Sequence, residues 1–422
     1  MTNLRIKSSI FINFFLFAIL MNSVGTVILQ VQRYFGVLES SAAVLEICKD
    51  VSLAAASFAV ASFIIAIGYK KSMLIALAVM TVACFTIPFV KSFIAIKILF
   101  ALTGACFGLM KISILGSIGL VTKNEKEHLS MMNFIESFFM IGILAGYLIF
   151  SNYINDADAG SGIWFNVYYL LGTFSAIAFF LQLFSPLDET PVKKEGKSLV
   201  KEEVAGMMKL VFVPLIILFV SSVFLYTLVE QSIMCWLPTF NNKQLQLASS
   251  MSIQASGILA FSIAAGRFFA GFIMKKVNWF KVLIFCLLAI SILVMVTLPF
   301  TSQPSDKQIN NWSQVPVVAY IFPLIGFFLA PVYPVINSVV LSSLPANKHA
   351  LMAGLIIIFS SAGGMSGSVI TGFIFQSYGG KTAFYFSLVP IGILMVMLFI
   401  FRVNKEKRNG TDSYKNLRVA LG

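Results

Sequence analysis

The sequence predicts an all-α integral membrane protein in which twelve transmembrane helices form two pseudo-symmetric six-helix bundles. Of the 422 residues, 59% are hydrophobic and only 11% are charged, and the mean hydropathy is +0.92. A soluble domain carries roughly 25% charged residues, because water must wet its surface. Apolar runs of about 20 residues, the length of a bilayer-spanning helix, recur along the whole chain. These observations predict the membrane location, and similarity between the two halves predicts the paired bundles.

Polar breaks between the apolar runs give the predicted boundaries of the spans. The spans of the first half cover residues 9–32, 43–68, 73–90, 93–121, 130–152 and 164–184. Those of the second half cover residues 209–237, 250–273, 281–299, 315–343, 351–375 and 382–402. Each run is long enough for a helix that rises about 1.5 Å per residue to cross the bilayer.

Lysine and arginine residues lie mostly in the loops on one side of these spans. With the N-terminus in the cytoplasm, 21 of the 30 lie in cytoplasmic segments and five lie in outer loops. This asymmetry follows the positive-inside rule, so we expect a multi-pass protein of the cell inner (plasma) membrane with both termini cytoplasmic. The net charge of +13 is explained by the same loops, and nucleic acid is not an expected partner.

Short similarities between the two halves indicate an internal repeat. Residues 58–71 resemble residues 263–276, and residues 137–153 resemble residues 362–378. Two repeats that rock about a central site are a common architecture of secondary transporters. The predicted units are an N-terminal bundle over 1–184, a cytoplasmic linker over 185–208, a C-terminal bundle over 209–403 and a cytoplasmic tail over 404–422.

Four segments carry a resemblance to a known family: IGYKKSMLIALAVM (67–80), NFIESFFMIG (133–142), VEQSIMCW (229–236) and GFFLAPVYPVINSVV (326–340). They resemble segments of the major facilitator superfamily and, within it, of the fucose–proton symporter family of sugar transporters. The resemblance implies the major facilitator fold and proton-coupled transport of a sugar-like solute. It also implies acidic residues in the first and fourth spans, where this chain has Gly25 and Lys111, and a polar uncharged residue at Glu136. The expectation therefore does not extend to fucose itself.

Ionisable residues inside the spans mark the candidate site. A charge at bilayer depth costs roughly 2.5–3.5 kcal/mol or more, so it normally faces a cavity or a partner. The candidates for substrate binding or coupling are Asn22, Glu46, Lys49, Asp50, Lys111, Glu136, Glu230, Gln231, Tyr333 and Asn337. The candidates for a structural or gating role are Arg267, as the anchor of a cytoplasmic salt bridge, Pro334, as a helix breaker, and the close-packing glycines Gly363 and Gly364.

The segment LEICKD (45–50) places Glu46, Lys49 and Asp50 three and four residues apart, hence on one face of a helix. Two interpretations fit this spacing. The residues form a proton or ion site, or an outer gate, that works during transport, or they form a static salt-bridge cluster at the outer mouth.

Lys111 and Glu136 suggest a second charged pair. They lie roughly 15 Å and 9 Å from the inner ends of their spans at 1.5 Å per residue, a difference that a lysine side chain can bridge. Such a pair either binds substrate and exchanges partners as a proton enters, or holds two helices together.

The expected function is a proton-coupled importer of a small polar solute, sugar-like or an organic anion because of Lys111. The alternative is an exporter of amphiphiles or drugs, suggested by the 18 methionines and 42 phenylalanines.

An enzyme is not expected, because both histidines lie in loops and no metal motif is present. A channel is disfavoured by the two-half architecture, and no GxxxxGK[ST] loop indicates ATP binding. No cofactor or metal is predicted; the expected partners are the solute, a proton or other coupling ion and the bilayer, with the chain acting as a monomer.

Overall fold

The computed structural model describes residues 2–122, 125–187, 189, 214–274, 276–301, 308–341 and 349–410. The described part is almost entirely helical, and its only β-type pairing is an isolated bridge between Leu247 and Ile309. Most of the predicted linker 185–208 and the end of the predicted tail 404–422 lie outside the described residues.

The N-terminal half contains eight α-helices. They are α1 (Thr2–Asn22), α2 (Val24–Phe35), α3 (Glu39–Ala42), α4 (Val44–Ile67), α5 (Tyr69–Val90), α6 (Phe93–Val121), α7 (Glu125–Ser151) and α8 (Val167–Leu183). A short 3₁₀ helix, Gly162–Asn166, precedes α8. Because Ser23 keeps helical backbone angles, α1 and α2 form one continuous span.

The described C-terminal half follows the same plan, with one span broken into pieces. Its helices are α9 (Pro214–Lys243), α10 (Ser249–Ile273), α11 (Trp279–Thr297), α12 (Val318–Ile321), α13 (Ile325–Leu329), α14 (Val332–Leu341), α15 (His349–Tyr385) and α16 (Leu388–Gly410). The 3₁₀ helices Leu298–Phe300 and Phe322–Leu324 complete the third and fourth spans of this half.

The predicted fold class is confirmed. Ten helices of the described part are long and apolar enough to cross a membrane. The remaining two predicted spans correspond to α4, whose 24 residues rise about 36 Å, and to the shorter apolar helix Leu388–Val403 within α16.

Two spans depart from straight helices. The fourth span of the C-terminal half is interrupted beside Pro331, since α13 ends at Leu329 and α14 begins at Val332. Pro334 lies in the first turn of α14, where a missing N–H removes no intrahelical hydrogen bond. The predicted end of the next span at residue 375 is too early, because α15 continues to Tyr385 across a non-helical Gly379 with φ 82°. Glycine adopts this left-handed angle without steric cost.

Each half has its own packing. In the N-terminal half α4 runs along α6, α5 packs on α6 and α8, and α1 packs on both α6 and α7. In the C-terminal half α9 runs along α15 and also contacts α10 and α16. The halves meet where α2 contacts α9, α4 contacts α15, and α7 contacts α10. The site described below lies between these contacts.

Gly363 lets α15 approach α9, and its replacement provides a test of this packing. A Cβ atom at Gly363 would strike the carbonyl oxygen of Phe224 and the hydroxyl of Thr227, whereas one at Gly392 of α16 would meet nothing. We expect Gly363→Ala to lower the free energy of unfolding by about 1–3 kcal/mol through overpacking. The matched control Gly392→Ala is expected to be neutral or to stabilise by up to about 1 kcal/mol through helix propensity. Thermal unfolding in detergent measures both, and equal effects would contradict the close approach.

Candidate functional site

A cavity of about 240 Å³ lies between the two halves. Helices α1, α4, α6 and α7 form one wall, and α9, α10, α14 and α15 form the other. Eight of the sequence-predicted residues line it: Asn22, Lys49, Asp50, Lys111, Glu230, Gln231, Arg267 and Tyr333. Glu46, Glu136, Pro334, Asn337, Gly363 and Gly364 are not among its lining residues. The cavity therefore gathers most of the predicted charges from both halves.

The charged residues of α4 form a buried cluster. Lys49 Nζ lies 2.6 Å from Glu46 Oε1 and 3.6 Å from Asp50 Oδ1, and the three residues are at most 5% exposed. Lys49 and Asp50 face the cavity, and Glu46 lies behind them. The predicted common face is confirmed, but the cluster is buried between the halves and does not line an open mouth.

This cluster contacts the other half directly. Cys235 Sγ on α9 lies 3.4 Å from Glu46 Oε2 and 3.6 Å from Gln231 Oε1. A Cβ atom at Gly364 of α15 would lie 2.9 Å from Asp50 Oδ2. Gly364 therefore leaves room for a carboxylate of the opposite half, which explains a glycine at that position.

Glu230 lies at the end of a row of contacting side chains that bear hydroxyl groups. Its Oε1 accepts a hydrogen bond of 2.7 Å from the hydroxyl of Tyr226. The Tyr226 ring packs 5.7 Å from the ring of Tyr333, whose hydroxyl lies 3.4 Å from Ser360 Oγ. The row connects α9, α14 and α15 at the edge of the cavity.

Arg267 is placed differently from the sequence expectation. It lines the cavity, with Nη1 3.5 Å from Met140 Sδ of the opposite half. Its Nε is buried and has no hydrogen-bond partner among the described residues. The expected cytoplasmic salt bridge is not among the described ion pairs. Arg267 lies about 9 Å inside the end of α10 at Ile273, and its side chain faces the cavity.

Lys111 and Glu136 do not form the predicted pair within the described part of the chain. Lys111 Nζ lies 5.8 Å from the ring centre of Phe107, one turn away on α6. Glu136 is exposed, one turn from Met140 toward the predicted cytoplasmic side of α7. Helices α6 and α7 do touch, with the ring centres of Phe107 and Phe139 5.8 Å apart. Lys111 lines the cavity, however, whereas the Glu136 side chain is exposed outside its lining.

The remaining predicted groups have separate environments. The Asn22 amide donates a 2.9 Å hydrogen bond to the carbonyl of Ala18 and lines the cavity. Asn337 Oδ1 is buried without a described partner. Gly25, where the resemblance implied an acid, packs on α9, and a Cβ there would lie 2.8 Å from the carbonyl oxygen of Cys235. A carboxylate at this position has no room in this arrangement.

Sequence analysis missed several lining residues. Thr227 and the Tyr226 hydroxyl precede Glu230 by three and four residues, so helical spacing from Glu230 was a usable signal. Ser360 and Ser361 lie one turn before Gly363 and Gly364. Serine is common in packed membrane helices, so these two carried no distinguishing signal.

Hydrogen bonds and an ion pair join the halves on the predicted outer side of the cavity. Lys243 Nζ of α9 lies 2.5 Å from Glu39 Oε1 of α3. Asp156, in the loop after α7, accepts hydrogen bonds from the backbone N–H of Ser250, at 3.0 Å, and from the Ser250 hydroxyl. A carboxylate of one half thus caps the first turn of α10 in the other. The cavity is closed toward this side.

Comparison with known proteins identifies the family to which the sequence is similar. The sequence profile described as Major Facilitator Superfamily matches residues 10–307 and 309–419. Among curated proteins, none matches the sequence significantly.

Solved structures are similar in fold at low sequence identity. The nucleoside transporter NupG aligns with a TM-score of 0.69 at 14% identity, over 95% of this chain and 98% of that one. The xylose transporter XylE from E. coli, in an inward-open conformation, aligns with a TM-score of 0.70 at 11% identity, over 94% and 95%. The transporter FucP, in an outward conformation, aligns with a TM-score of 0.62 at 14% identity, over 95% and 99%.

Proposed function

Because the chain belongs to the major facilitator superfamily, we propose that it is a secondary active transporter that moves a small polar solute by alternating access. Members of this family are membrane transporters and not enzymes. In the proposal the N-terminal and C-terminal bundles rock about the central cavity, which binds the solute. The membrane is the inner (plasma) membrane, with both termini in the cytoplasm, as the positive-inside asymmetry indicates.

The observation that carries this proposal is the convergence of polar groups from both halves on one cavity. Lys49, Asp50 and Lys111 come from the first half, and Glu230 and Arg267 come from the second. Charges at this depth are costly unless they have a function or a partner. In this proposal, a cavity whose outer side is closed by contacts between the halves corresponds to the inward-facing state of the cycle.

Proton coupling is proposed for the same cavity. Asp50 and Glu230 are its two carboxylates, and each has a described partner that stabilises the charge, Lys49 for the first and Tyr226 for the second. A carboxylate that exchanges its partner when solute binds can take up or release a proton. The proton gradient is therefore the proposed driving force.

Export of amphiphilic compounds is the second candidate. It is favoured by the apolar part of the cavity wall, which consists of Met21, Leu53, Phe107, Phe139, Met140, Ile143, Met234, Ala260 and Ile263. Met-rich surfaces adapt to ligands of varied shape. The two candidates differ in which compounds bind.

A thermal-stability screen of the detergent-purified protein tests the proposal. The panel contains neutral sugars, nucleosides, sugar acids, other organic anions and amphiphiles. A ligand that binds only the folded state stabilises it by about 2.7 kcal/mol at a hundredfold excess over its Kd. Stabilisation by a polar solute is the expected result, and stabilisation by amphiphiles alone would contradict it.

Loosening the outer closure is expected to shift the protein toward the outward-facing state. Asp156→Ala removes two hydrogen bonds to Ser250, one of them from a backbone N–H, whereas the neighbouring Asp158 accepts only a local bond from Gly160 among the described contacts. Hydrogen bonds to charged groups contribute about 1.5–3 kcal/mol, so we expect roughly tenfold or faster labelling of a cavity cysteine, Leu53→Cys, by an impermeant thiol reagent from outside.

The control for this experiment is Asp158→Ala, which removes an acid from the same loop. It is expected to leave the labelling rate unchanged. Equal labelling rates in Asp156→Ala, Asp158→Ala and the unmodified background would show that the cap does not hold the outer side closed.

A further inference from the structure

We propose, on the basis of the transport function above, that the substrate is a polar monocarboxylate whose anionic group binds between Lys111 and Arg267. These two cations belong to opposite halves and line the same cavity. The inference narrows the polar solute to one charge class and assigns the two residues that recognise it.

The cations of the cavity differ in their partners. Lys49 is paired with Glu46 and Asp50. Among the described residues, neither Lys111 nor Arg267 has a carboxylate within ion-pair distance. Their described contacts are the Phe107 ring for Lys111 and the Met140 sulfur for Arg267, and neither contact neutralises a charge.

The guanidinium group of Arg267 has hydrogen-bond donors that a bound ligand can use. The buried Nε of Arg267 has no described hydrogen-bond partner. A guanidinium donates two parallel hydrogen bonds to a carboxylate, and a lysine ammonium adds a point charge from the other side. A carboxylate held by both would also bridge the two halves, which couples its binding to their movement.

The charge balance of the cavity indicates one negative charge on the substrate. Lys49, Lys111 and Arg267 carry three positive charges, and Glu46, Asp50 and Glu230 carry three negative charges when all are ionised. The empty site is then neutral, and a monoanion leaves it with one excess negative charge. One proton on a carboxylate restores neutrality. The monoanion therefore enters together with one proton, and the net charge transported is zero.

Glu230 is the carboxylate that takes this proton. Arg267, the other charged residue of the C-terminal half in the cavity lining, compensates its negative charge. An anion bound to Arg267 withdraws that compensation, which leaves the Tyr226 hydroxyl as the described partner of Glu230. The titratable and charged groups that face the site from the surrounding helices are Lys49, Asp50, Lys111, Tyr226, Cys235, Arg267 and Tyr333.

Pairs of probes that differ in one carboxylate test the charge class. Isothermal titration calorimetry on the purified full chain compares D-glucuronate with D-glucose and D-glycerate with glycerol. D-Glucarate serves as the dianion, uridine as a neutral polar solute and tetraphenylphosphonium as an amphiphile. We expect at least one monocarboxylate to bind about tenfold or more tightly than its uncharged partner, and D-glucarate to bind more weakly than D-glucuronate.

Variants test the two residues. Lys111→Gln and Arg267→Lys are each expected to weaken binding of that monocarboxylate about tenfold or more. The control is Lys97→Gln, because Lys97 is another lysine of α6 that lies over a phenylalanine ring, 4.4 Å from the centre of Phe93, and outside the cavity lining. It is expected to leave the affinity unchanged, and unfolding temperatures verify that all three variants are folded.

The outcomes separate this inference from the proposed function. The inference is overturned if D-glucose, glycerol or uridine binds as tightly as any carboxylate and Lys111→Gln does not affect that binding. The proposed transport of a polar solute would then still stand. Binding of tetraphenylphosphonium alone overturns both. Binding of none of the monocarboxylates overturns the inference as well, whatever else binds.

Discussion

Replacing Lys49 with methionine is expected to destabilise the protein more than any other single exchange in the cavity wall. The substitution keeps the length of the side chain and leaves Glu46 and Asp50 buried without their cation. Breaking a buried ion pair by removing one partner costs about 3–5 kcal/mol, because the remaining charge is uncompensated. Thermal unfolding in detergent is expected to show a correspondingly lower midpoint for Lys49→Met.

Three further measurements test whether the loss of the buried cation causes the destabilisation. Lys97→Met removes a lysine that contacts the Phe93 ring, and it is expected to change the midpoint little. Adding Glu46→Gln and Asp50→Asn to Lys49→Met is expected to recover most of the stability, since neutral amides no longer need a cation. Lowering the pH is expected to recover part of it, because protonation removes the same negative charges. A Lys49→Met protein as stable as the wild type would show that the cluster does not stabilise the fold.

Replacing Glu230 with glutamine is expected to abolish accumulation of solute against its gradient while solute exchange continues. The amide oxygen still accepts the hydrogen bond that Tyr226 donates, so the shape of the site is preserved. A glutamine side chain does not titrate near neutral pH, so the proposed coupling then has no proton carrier on this helix. Uptake into proteoliposomes under an imposed pH gradient is expected to fall about tenfold or more, and exchange of labelled for unlabelled solute at equal pH is expected to persist.

The control for this measurement is Asp158→Asn, which alters an exposed acid of the outer loop and is expected to leave uptake unchanged. The comparison Asp50→Asn distinguishes the two carboxylates of the cavity. If Glu230→Gln accumulates solute normally and Asp50→Asn does not, the proton is carried by Asp50, and the assignment of Glu230 is wrong.

The spans could be predicted from the sequence because hydropathy and length decide them. The predicted 93–121 coincides with α6, and the one-face spacing of LEICKD placed Glu46, Lys49 and Asp50 together. The end of α15 was missed, because the polar residues 376–382 (QSYGGKT) indicate a break, whereas the helix continues through them across the non-helical Gly379.

Side-chain partners across helices were harder to predict. The depths of Lys111 and Glu136 follow from the helical rise, but depth does not reveal that Lys111 lines the cavity while Glu136 is exposed outside its lining. Arg267 was expected to anchor a cytoplasmic salt bridge because its span ends soon after it. The predicted end at residue 273 is the end of α10, but the Arg267 side chain faces the cavity. Neighbours in space depend on the packing of whole helices, which periodicity within one helix does not encode.

The central claim is that the halves rock about the cavity, and distances between spin labels at both of its ends test it most directly. Leu38 and Thr382 are exposed on the predicted outer side, one in each half, and Lys71 and Lys276 occupy equivalent exposed positions on the predicted cytoplasmic side. Labelled pairs in nanodiscs are measured with and without the stabilising solute, at two pH values. Alternating access predicts that any condition that lengthens the outer distance shortens the cytoplasmic one. Two distance distributions that stay fixed under all conditions, or that lengthen together, would contradict the account.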